Sequence, residues 1–196
     1  LLPCFAVGRS QEVIQMLRYF DEDMKIFFDG MAKTASQIIL DYPSYLKNAK
    51  YLADCLSSAE WVNSPGQRAK ALSKPSVIIS PAGMLEGGPS VKYALNLNEE
   101  SEIILTGFQV PGTNGKMLLD EHKIRVNGIL YDVRVPVEYL DFSAHASRAD
   151  LFKFIERASP EKIFCVHGET CQDFAGELRA KGYDAVAPKI GESFVV

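Results

Sequence analysis

Two histidines, His145 and His167, stand 22 residues apart in short motifs. The first reads Asp141-Phe142-Ser143-Ala144-His145-Ala146-Ser147 and the second Cys165-Val166-His167-Gly168-Glu169-Thr170. Imidazole exchanges protons near neutral pH and is the commonest metal ligand. The pair could therefore supply a proton donor and a metal ligand. Two structural histidines at strand ends would show the same spacing, so spacing alone leaves both readings open. The third histidine, His122, lies in a charged turn, has no assigned role and is expected to be exposed.

The surrounding elements must position this pair. A β-rich segment, Ile129 to Leu140, precedes His145. Ser147-Arg148-Ala149-Asp150 has the form of a helix start, with a hydroxyl cap and a carboxylate near the exposed amides. Leu151, Phe154, Ile155 and Ala158 recur at helical spacing, and Pro160 closes the helix. Ile163 to Val166 is an apolar run of strand type, and Thr170 to Gly182 reads as a second helix. Consecutive strands joined by a helix run parallel, with their carboxyl ends on one edge of the sheet. The pattern thus predicts that both imidazoles open onto one crevice, where α/β sheets hold their ligands.

The first part of the chain repeats the strand–helix theme. Leu2 to Val7 is a predicted strand, turned by Gly8-Arg9-Ser10 into a helix with Val13, Ile14, Leu17 and Phe20 on its apolar face. Arg9 at a helix amino terminus could hold a phosphate, because free amides and a cation converge there; an ordinary turn with a solvated Arg is the plainer reading. Lys25 to Asp29 is a second strand, and capping the following helix is the plain role for Asp29. Helices are predicted over Thr34–Asp41 and Tyr45–Ser57, the second with Tyr45, Leu46, Ala49, Leu52, Ala53 and Leu56 inward. Trp61 falls in a connecting loop, where it could stack on a base or simply pack.

Val77 to Ser80 is a third buried strand. The loop after it, Pro81 to Pro89, holds Gly83, Gly87 and Gly88, which let backbone approach a ligand closely, and Pro89 starts the next helix. No Gly-Lys-Ser/Thr follows and there is no GxGxxG, so it is neither a P-loop nor a dinucleotide fingerprint. A nucleotide-binding domain would rest on this loop alone. Glu102 to Gly107 is a fourth strand, and four such units make a doubly wound domain. Lys123 to Leu140 alternates and is β-branched, with Gly128 at a turn, which predicts an antiparallel hairpin.

Six separated segments carry a family resemblance. Phe142-Ser143-Ala144-His145 with Val166-His167-Gly168-Glu169 resembles the last two motifs of the β-CASP branch of the metallo-β-lactamase nucleases. The form is nearer the mRNA 3′-end cleavage factor type than RNase J. Pro3-x-Phe5-Ala6-x-Gly8-Arg9-x-Gln11-Glu12, Asp29-Gly30-Met31-Ala32, Ser80-x-x-Gly83-Met84-Leu85-x-Gly87-Gly88 and Gly107-Phe108-Gln109-x-x-Gly112-Thr113 resemble other segments of that branch. The resemblance implies an α/β chain. Residues 1–119 would be a doubly wound, mostly parallel β-CASP domain, and residues 120–196 the carboxyl-terminal return into a metallo-β-lactamase αββα fold.

It also implies a zinc-dependent ribonuclease acting by metal-assisted phosphodiester hydrolysis on single-stranded RNA. In that reading His145 is the general acid and His167 a zinc ligand. Arg9, Ser80, Gly83, Gly87, Gly88, Ser143 and Ser147 would line the RNA path, with Asp29 and Glu169 in support. The family uses two zinc ions, yet its His-x-His-x-Asp-His motif, a later His and a bridging Asp are absent here. The opening Leu1 to Val7 reads as entering in mid-strand, so the chain is expected to be a piece of a longer protein, inactive alone, whose amino-terminal half brings the other ligands. A homodimer is a further expectation. The competing readings are a non-catalytic RNA-binding scaffold of the same family and a DNA-acting member.

Composition sets the outer bounds. The 196 residues are 47% hydrophobic, enough for a real core. A net charge of −4 argues against non-specific nucleic-acid binding through a strongly basic surface, while leaving a local groove possible. No apolar run reaches membrane-spanning length and no signal peptide is seen. The four cysteines, Cys4, Cys55, Cys165 and Cys171, form no CxxC and read as reduced thiols of a cytoplasmic protein, Cys165 in the core and Cys171 a bystander.

Overall fold

Runs of two to four apolar residues, each closed by a turn, build the strands. A computed structural model describes residues 1–140, 142 and 145–194. Leu1–Ser143 and Ala144–Val196 form two compact units. In chain order the first holds β1 (Leu2–Pro3), α1 (Arg9–Phe20), β2 (Ile26–Phe28), α2 (Ala32–Leu40), α3 (Ala49–Ser57) and β3 (Glu60–Trp61). It continues with α4 (Pro65–Leu72), β4 (Val77–Ser80), α5 (Gly88–Ala94), β5 (Ile103–Leu105) and α6 (Asn114–Glu121), and ends with β6 (Lys123–Val126), β7 (Ile129–Asp132) and β8 (Val137–Tyr139).

Among the described residues β1, β4, β2 and β3 pair in that order, all parallel, with Leu2 opposite Ile79 and Phe27 opposite Ile78. β5 pairs in parallel with β8, Ile103 opposite Val137. It also continues the sheet beside β1: the Leu1 amino group donates to the Glu102 carbonyl at 2.7 Å, and the Ile104 amide donates to the Leu1 carbonyl at 2.9 Å. That is the bonding pattern of a parallel bridge.

Alternation along the strands splits the core between two faces. Ile26, Phe28 and Ile79 pack with Val13, Ile14, Leu52 and Leu56 of α1 and α3. Phe27 and Ile78 pack with Ala71 of α4 and Tyr93 of α5. The chain is therefore an α/β protein with mostly parallel strands covered on both sides. Burial on both faces is why its strands read as unbroken apolar runs. Beside α1, an apolar groove of about 760 Å³ remains open, lined by Met16, Leu17, Phe20, Ile104, Leu140 and others.

Several predicted elements change on inspection. Phe20, placed inward by periodicity, is 81% exposed, and Arg18 is buried in its stead because its guanidinium bonds the Asp21, Glu22, Met24 and Ser58 carbonyls. The Tyr45–Ser57 helix begins only at Ala49, because the Asn48 side chain accepts from the Tyr51 amide and caps it there, which leaves Tyr45 86% exposed. Trp61 lies in edge strand β3 and packs: its Nε1 donates to the Leu56 carbonyl at 2.9 Å and its ring tilts against Phe28. Helix α4, capped by Ser64, was not foreseen.

The alternating 123–140 segment is only partly a hairpin. β6 and β7 pair antiparallel through an Asn127-Gly128 turn, both residues at positive φ, the signature of a tight hairpin. β8 leaves that hairpin to join β5. Ile124, Val133 and Val135 share a core with Leu105 and Leu118, so residues 120–142 pack with the first unit. The division by packing falls after Ser143, whereas the motif pattern was expected to divide the chain at 119/120.

The second unit holds α7 (Arg148–Ala158), β9 (Ile163–Phe164), α8 (Cys171–Ala180) and β10 (Ala185–Val186), with β9 and β10 parallel. Its core is Phe152, Ile155, Cys165, Ala175, Leu178 and Ala185. The apolar face of α7 is rotated from the predicted one: Phe152 is inward, edge-on to Phe174, while Phe154 is 69% exposed. Among the described residues β8 and β9 belong to different sheets, so the strand–helix–strand crossover that was to aim both histidines at one crevice is absent. No helix among the described residues is long and apolar enough to cross a membrane, and all four cysteines are free thiols.

The two-faced sheet makes Phe28 a stability determinant. Phe28→Ala is expected to cost about 3–5 kcal/mol, while the exposed Tyr45→Ala stays within about 0.5 kcal/mol. Urea unfolding at unchanged m-value checks both.

Candidate functional site

A parallel sheet sends every strand's carboxyl end to one edge. In the first unit that edge gathers the loops after β1 (residues 4–8), β2 (29–31), β3 (62–64), β4 (81–87) and β5 (106–113). Arg9, Asp29, Ser80, Gly83, Gly87 and Gly88, all picked from sequence, converge there. The interior of this edge is polar and almost fully bonded.

Asp29 is fully buried at the end of β2. Its carboxylate accepts from Arg68 Nε at 2.7 Å and Arg68 Nη2 at 3.1 Å, from the Tyr93 hydroxyl at 3.0 Å and from the Gly30 amide at 2.6 Å. It does not cap α2, whose cap position, Met31, makes no side-chain bond. Burial and the neighbouring carboxylate push the Tyr93 phenol well above its ordinary range, and the bond to Asp29 raises Arg68 further. Gly30 then passes between two prolines: a Cβ there would meet Pro89 Cγ at 3.0 Å and Pro81 Cδ at 3.1 Å.

The glycine loop folds on itself. Ser90, fully buried, donates toward the Ala82 and Gly87 carbonyls at 3.1 and 3.2 Å, and its amide donates to Pro81. Gly83 touches the end of β1, where a Cβ would lie 3.1 Å from the Phe5 nitrogen. Gly88 has φ +72° and a Cβ there would lie 2.9 Å from the Pro81 carbonyl oxygen. Ser80, expected to line a channel, is fully buried and donates to the Pro81 carbonyl. Its hydroxyl therefore holds the loop from within.

Side chains from the β5–α6 loop complete the support. Gln109 Nε2 donates to the Gly107 carbonyl at 2.7 Å and to Gly83 at 3.4 Å. Asn114 Nδ2 donates to Leu85 and Arg125 carbonyls, both at 2.9 Å, while its own amide donates to Glu86 Oε1 at 2.5 Å. Arg68, Tyr93, Ser90 and Asn114 were missed from sequence. Only Gln109, inside a quoted motif, carried a signal.

Arg9 is less available to a phosphate than its position suggested. Its Nη1 bonds Glu12 at 2.6 Å, Nη2 donates to the Phe142 carbonyl, and the guanidinium lies 6.0 Å from the Phe142 ring centroid. The side chain is only 13% exposed. Cys4, at the end of β1, is no nucleophile: burial pushes its thiol up to about 11.

In the second unit His145, Ser147, His167 and Glu169 are all exposed. Ser147 caps α7 in a reciprocal box with Asp150, as predicted. His167 follows β9 with φ 63°, a left-handed conformation uncommon for a side-chain-bearing residue. Ser143 lies outside the described residues. Among those described, no three of His, Cys, Asp and Glu come together in a way that could hold a metal ion. One imidazole does not hold zinc in water, so the residues described here do not by themselves fit that ion.

Two family models match the chain. The Beta-Casp domain covers residues 10–118 and the Zn-dependent metallo-hydrolase RNA specificity domain residues 130–188. Similar proteins include a probable RNase, MJ4, of Methanocaldococcus jannaschii, 34% identical over 98% of this chain and 47% of that protein. RNase aCSPSF2 of Saccharolobus solfataricus is 32% identical over 98% of this chain and 40% of its own length. Transcription termination factor FttA of Methanocaldococcus jannaschii is 34% identical over 91% and 32%. The chain thus spans less than half the length of these relatives.

Two stability tests follow. Gly88→Ala, strained and crowded, is expected to destabilise by about 1–3 kcal/mol, while Gly107→Ala, with nothing within 4 Å, stays within about 0.5 kcal/mol in the same urea titration. The Ser147 hydroxyl and amide hold the Asp150 carboxyl below its ordinary 3.8. A depressed carboxyl stabilises above its unfolded value and loses that contribution as pH falls through its folded value. The stability gap between wild type and Asp150→Asn should therefore be full at about pH 6 and close progressively as the solution is taken below 3.8.

Proposed function

Since this chain belongs to the Beta-Casp family, we propose that it is part of a zinc-dependent ribonuclease of RNA processing or turnover, with single-stranded RNA as its substrate. One observation carries the reading. A Beta-Casp domain and a Zn-dependent metallo-hydrolase RNA specificity domain stand in tandem, and relatives matching nearly the whole chain are named RNases. The setting is cytoplasmic, where Cys4, Cys55, Cys165 and Cys171 stay reduced.

In this reading the loops at the carboxyl edge of the sheet meet the RNA backbone. Gly87, with nothing within 4 Å of where a Cβ would lie, lets main chain approach closely, while Gly83 and Gly88 pack the loop against protein backbone and the buried Asp29 network keeps it in place. Ser147, Ser143 and the amides opening α7 receive a phosphate. His145 donates a proton to the leaving oxygen, a task suited to imidazole near neutral pH. His167 would supply one ligand to a two-zinc centre completed by residues beyond those described, and Glu169 would fix its tautomer. Bound zinc supplies Lewis-acid chemistry for phosphodiester hydrolysis.

The test is made on the full-length protein, with zinc content and cleavage of end-labelled single-stranded RNA measured together. His145→Ala is expected to lose cleavage by about 10²-fold or more with zinc retained. His167→Ala is expected to lose both. A wild-type protein that holds zinc and leaves RNA intact would make the chain a scaffold relative.

A further inference from the structure

One cation of the carboxyl edge is both fixed and open. Arg68 sits in the first turn of α4, directly after β3, on the edge that carries the glycine loop. Three other cations of that edge, among the described residues, are committed to the protein. Arg9 is held by Glu12 and the Phe142 carbonyl. Lys33 donates to the Val62 carbonyl and to Asn63 Oδ1. Lys116 pairs with Asp120 at 2.6 Å.

Arg68 differs in how its donors are spent. Nε and Nη2 face the two oxygens of Asp29, at 2.7 and 3.1 Å, which sets the guanidinium plane. Asp29 is itself immobilised by the Tyr93 hydroxyl and the Gly30 amide. The Arg68 side chain nevertheless remains 31% exposed. Its other polar neighbour is the Tyr93 phenol, itself bonded to Asp29, and Nη1 makes none of the bonds to Asp29. A planar fork pre-aligned in this way binds a tetrahedral anion with little further loss of side-chain freedom.

We infer that Arg68 is a phosphate-binding residue of this edge, receiving a backbone phosphodiester of single-stranded nucleic acid, with Asp29 as its positioning residue. The inference rests on the RNA reading above and adds to it a contact that no sequence motif marked. It also shifts the edge's phosphate contact from Arg9 to Arg68.

Salt dependence separates a phosphate contact from a structural ion pair. Each single-strand phosphate neutralised contributes about 0.7 to the slope of log affinity against log salt. Binding of a labelled single-stranded RNA is measured on the full-length protein in a His145→Ala background, so that the probe stays whole. Arg68→Gln is expected to weaken binding and lower the slope by about 0.7, and Arg68→Lys to weaken binding with the slope kept. Because Arg68→Gln strands the buried Asp29, the double variant Arg68→Gln with Asp29→Asn, which removes both charges together, is measured alongside and should show the same slope loss. Thermal melting confirms that each variant is folded. Unchanged slopes in Arg68→Gln and in the double variant overturn the inference and leave Arg68 a structural partner. Absence of RNA binding in the background protein overturns the RNA reading, and this inference with it.

Discussion

A fully buried carboxylate at the end of a central strand is the constraint on which the rest of the first unit depends. Taking Asp29 out of water is costly unless its oxygens are bonded, and here four donors do so. Those donors come from three connections: the β2–α2 turn, the first turn of α4 and the middle of α5. Losing one partner of such a buried pair costs about 3–5 kcal/mol, so the three connections hold or fail together. The same arrangement forces Gly30 between Pro81 and Pro89, where a Cβ has no room. The carboxylate thus ties the glycine loop to the sheet without touching it.

The loop itself is stabilised by close approach. Gly83 lies against the backbone at the end of β1, and Gly88 lies against the Pro81 carbonyl. Ser80 and Ser90, both fully buried, bond the carbonyls of the turn from inside. Gln109 and Asn114 reach it from the β5–α6 loop. The loop's carbonyls are therefore held from within, by side chains of β4, α5 and the β5–α6 loop.

Local signals in the sequence were legible where a single residue decides the outcome. The Val77–Ser80 strand, the Asn127-Gly128 turn and the Ser147–Asp150 cap each follow from chemistry within four residues. Motifs read by resemblance identified the family, and the family model covering residues 10–118 bears that reading out. What escaped depends on distance in sequence. Arg68 meets Asp29 across 39 residues and Tyr93 meets it across 64, and no periodicity marks either. Alternation identified the β-branched 123–140 run but could not tell that β8 would abandon the hairpin for a parallel place beside β5. On α7, Phe152 and Phe154 are equally apolar in sequence. The ring of Phe174 across the core decides which one turns inward.

The costs that remain in the structure are not spread evenly. Among the described residues two buried side-chain oxygens, Gln11 Oε1 and Gln109 Oε1, have no hydrogen-bond partner. Each such group costs about 1–3 kcal/mol. Gln11 lies in the first turn of α1 and Gln109 in the β5–α6 loop, and both use their amide nitrogens to hold loop carbonyls: Gln11 that of Ala6, Gln109 that of Gly107. An apolar residue at either place would leave no side-chain oxygen stranded but would strand the carbonyls that the amide nitrogens now hold. In the second unit the left-handed backbone of His167 is another local cost, set beside Gly168 and directly after a strand. Strain and unmet polar atoms of this kind persist where geometry is needed for something other than folding. They stand near strand ends and not within the sheet: Gln11 in the first turn of α1, Gln109 in the β5–α6 loop and His167 directly after β9.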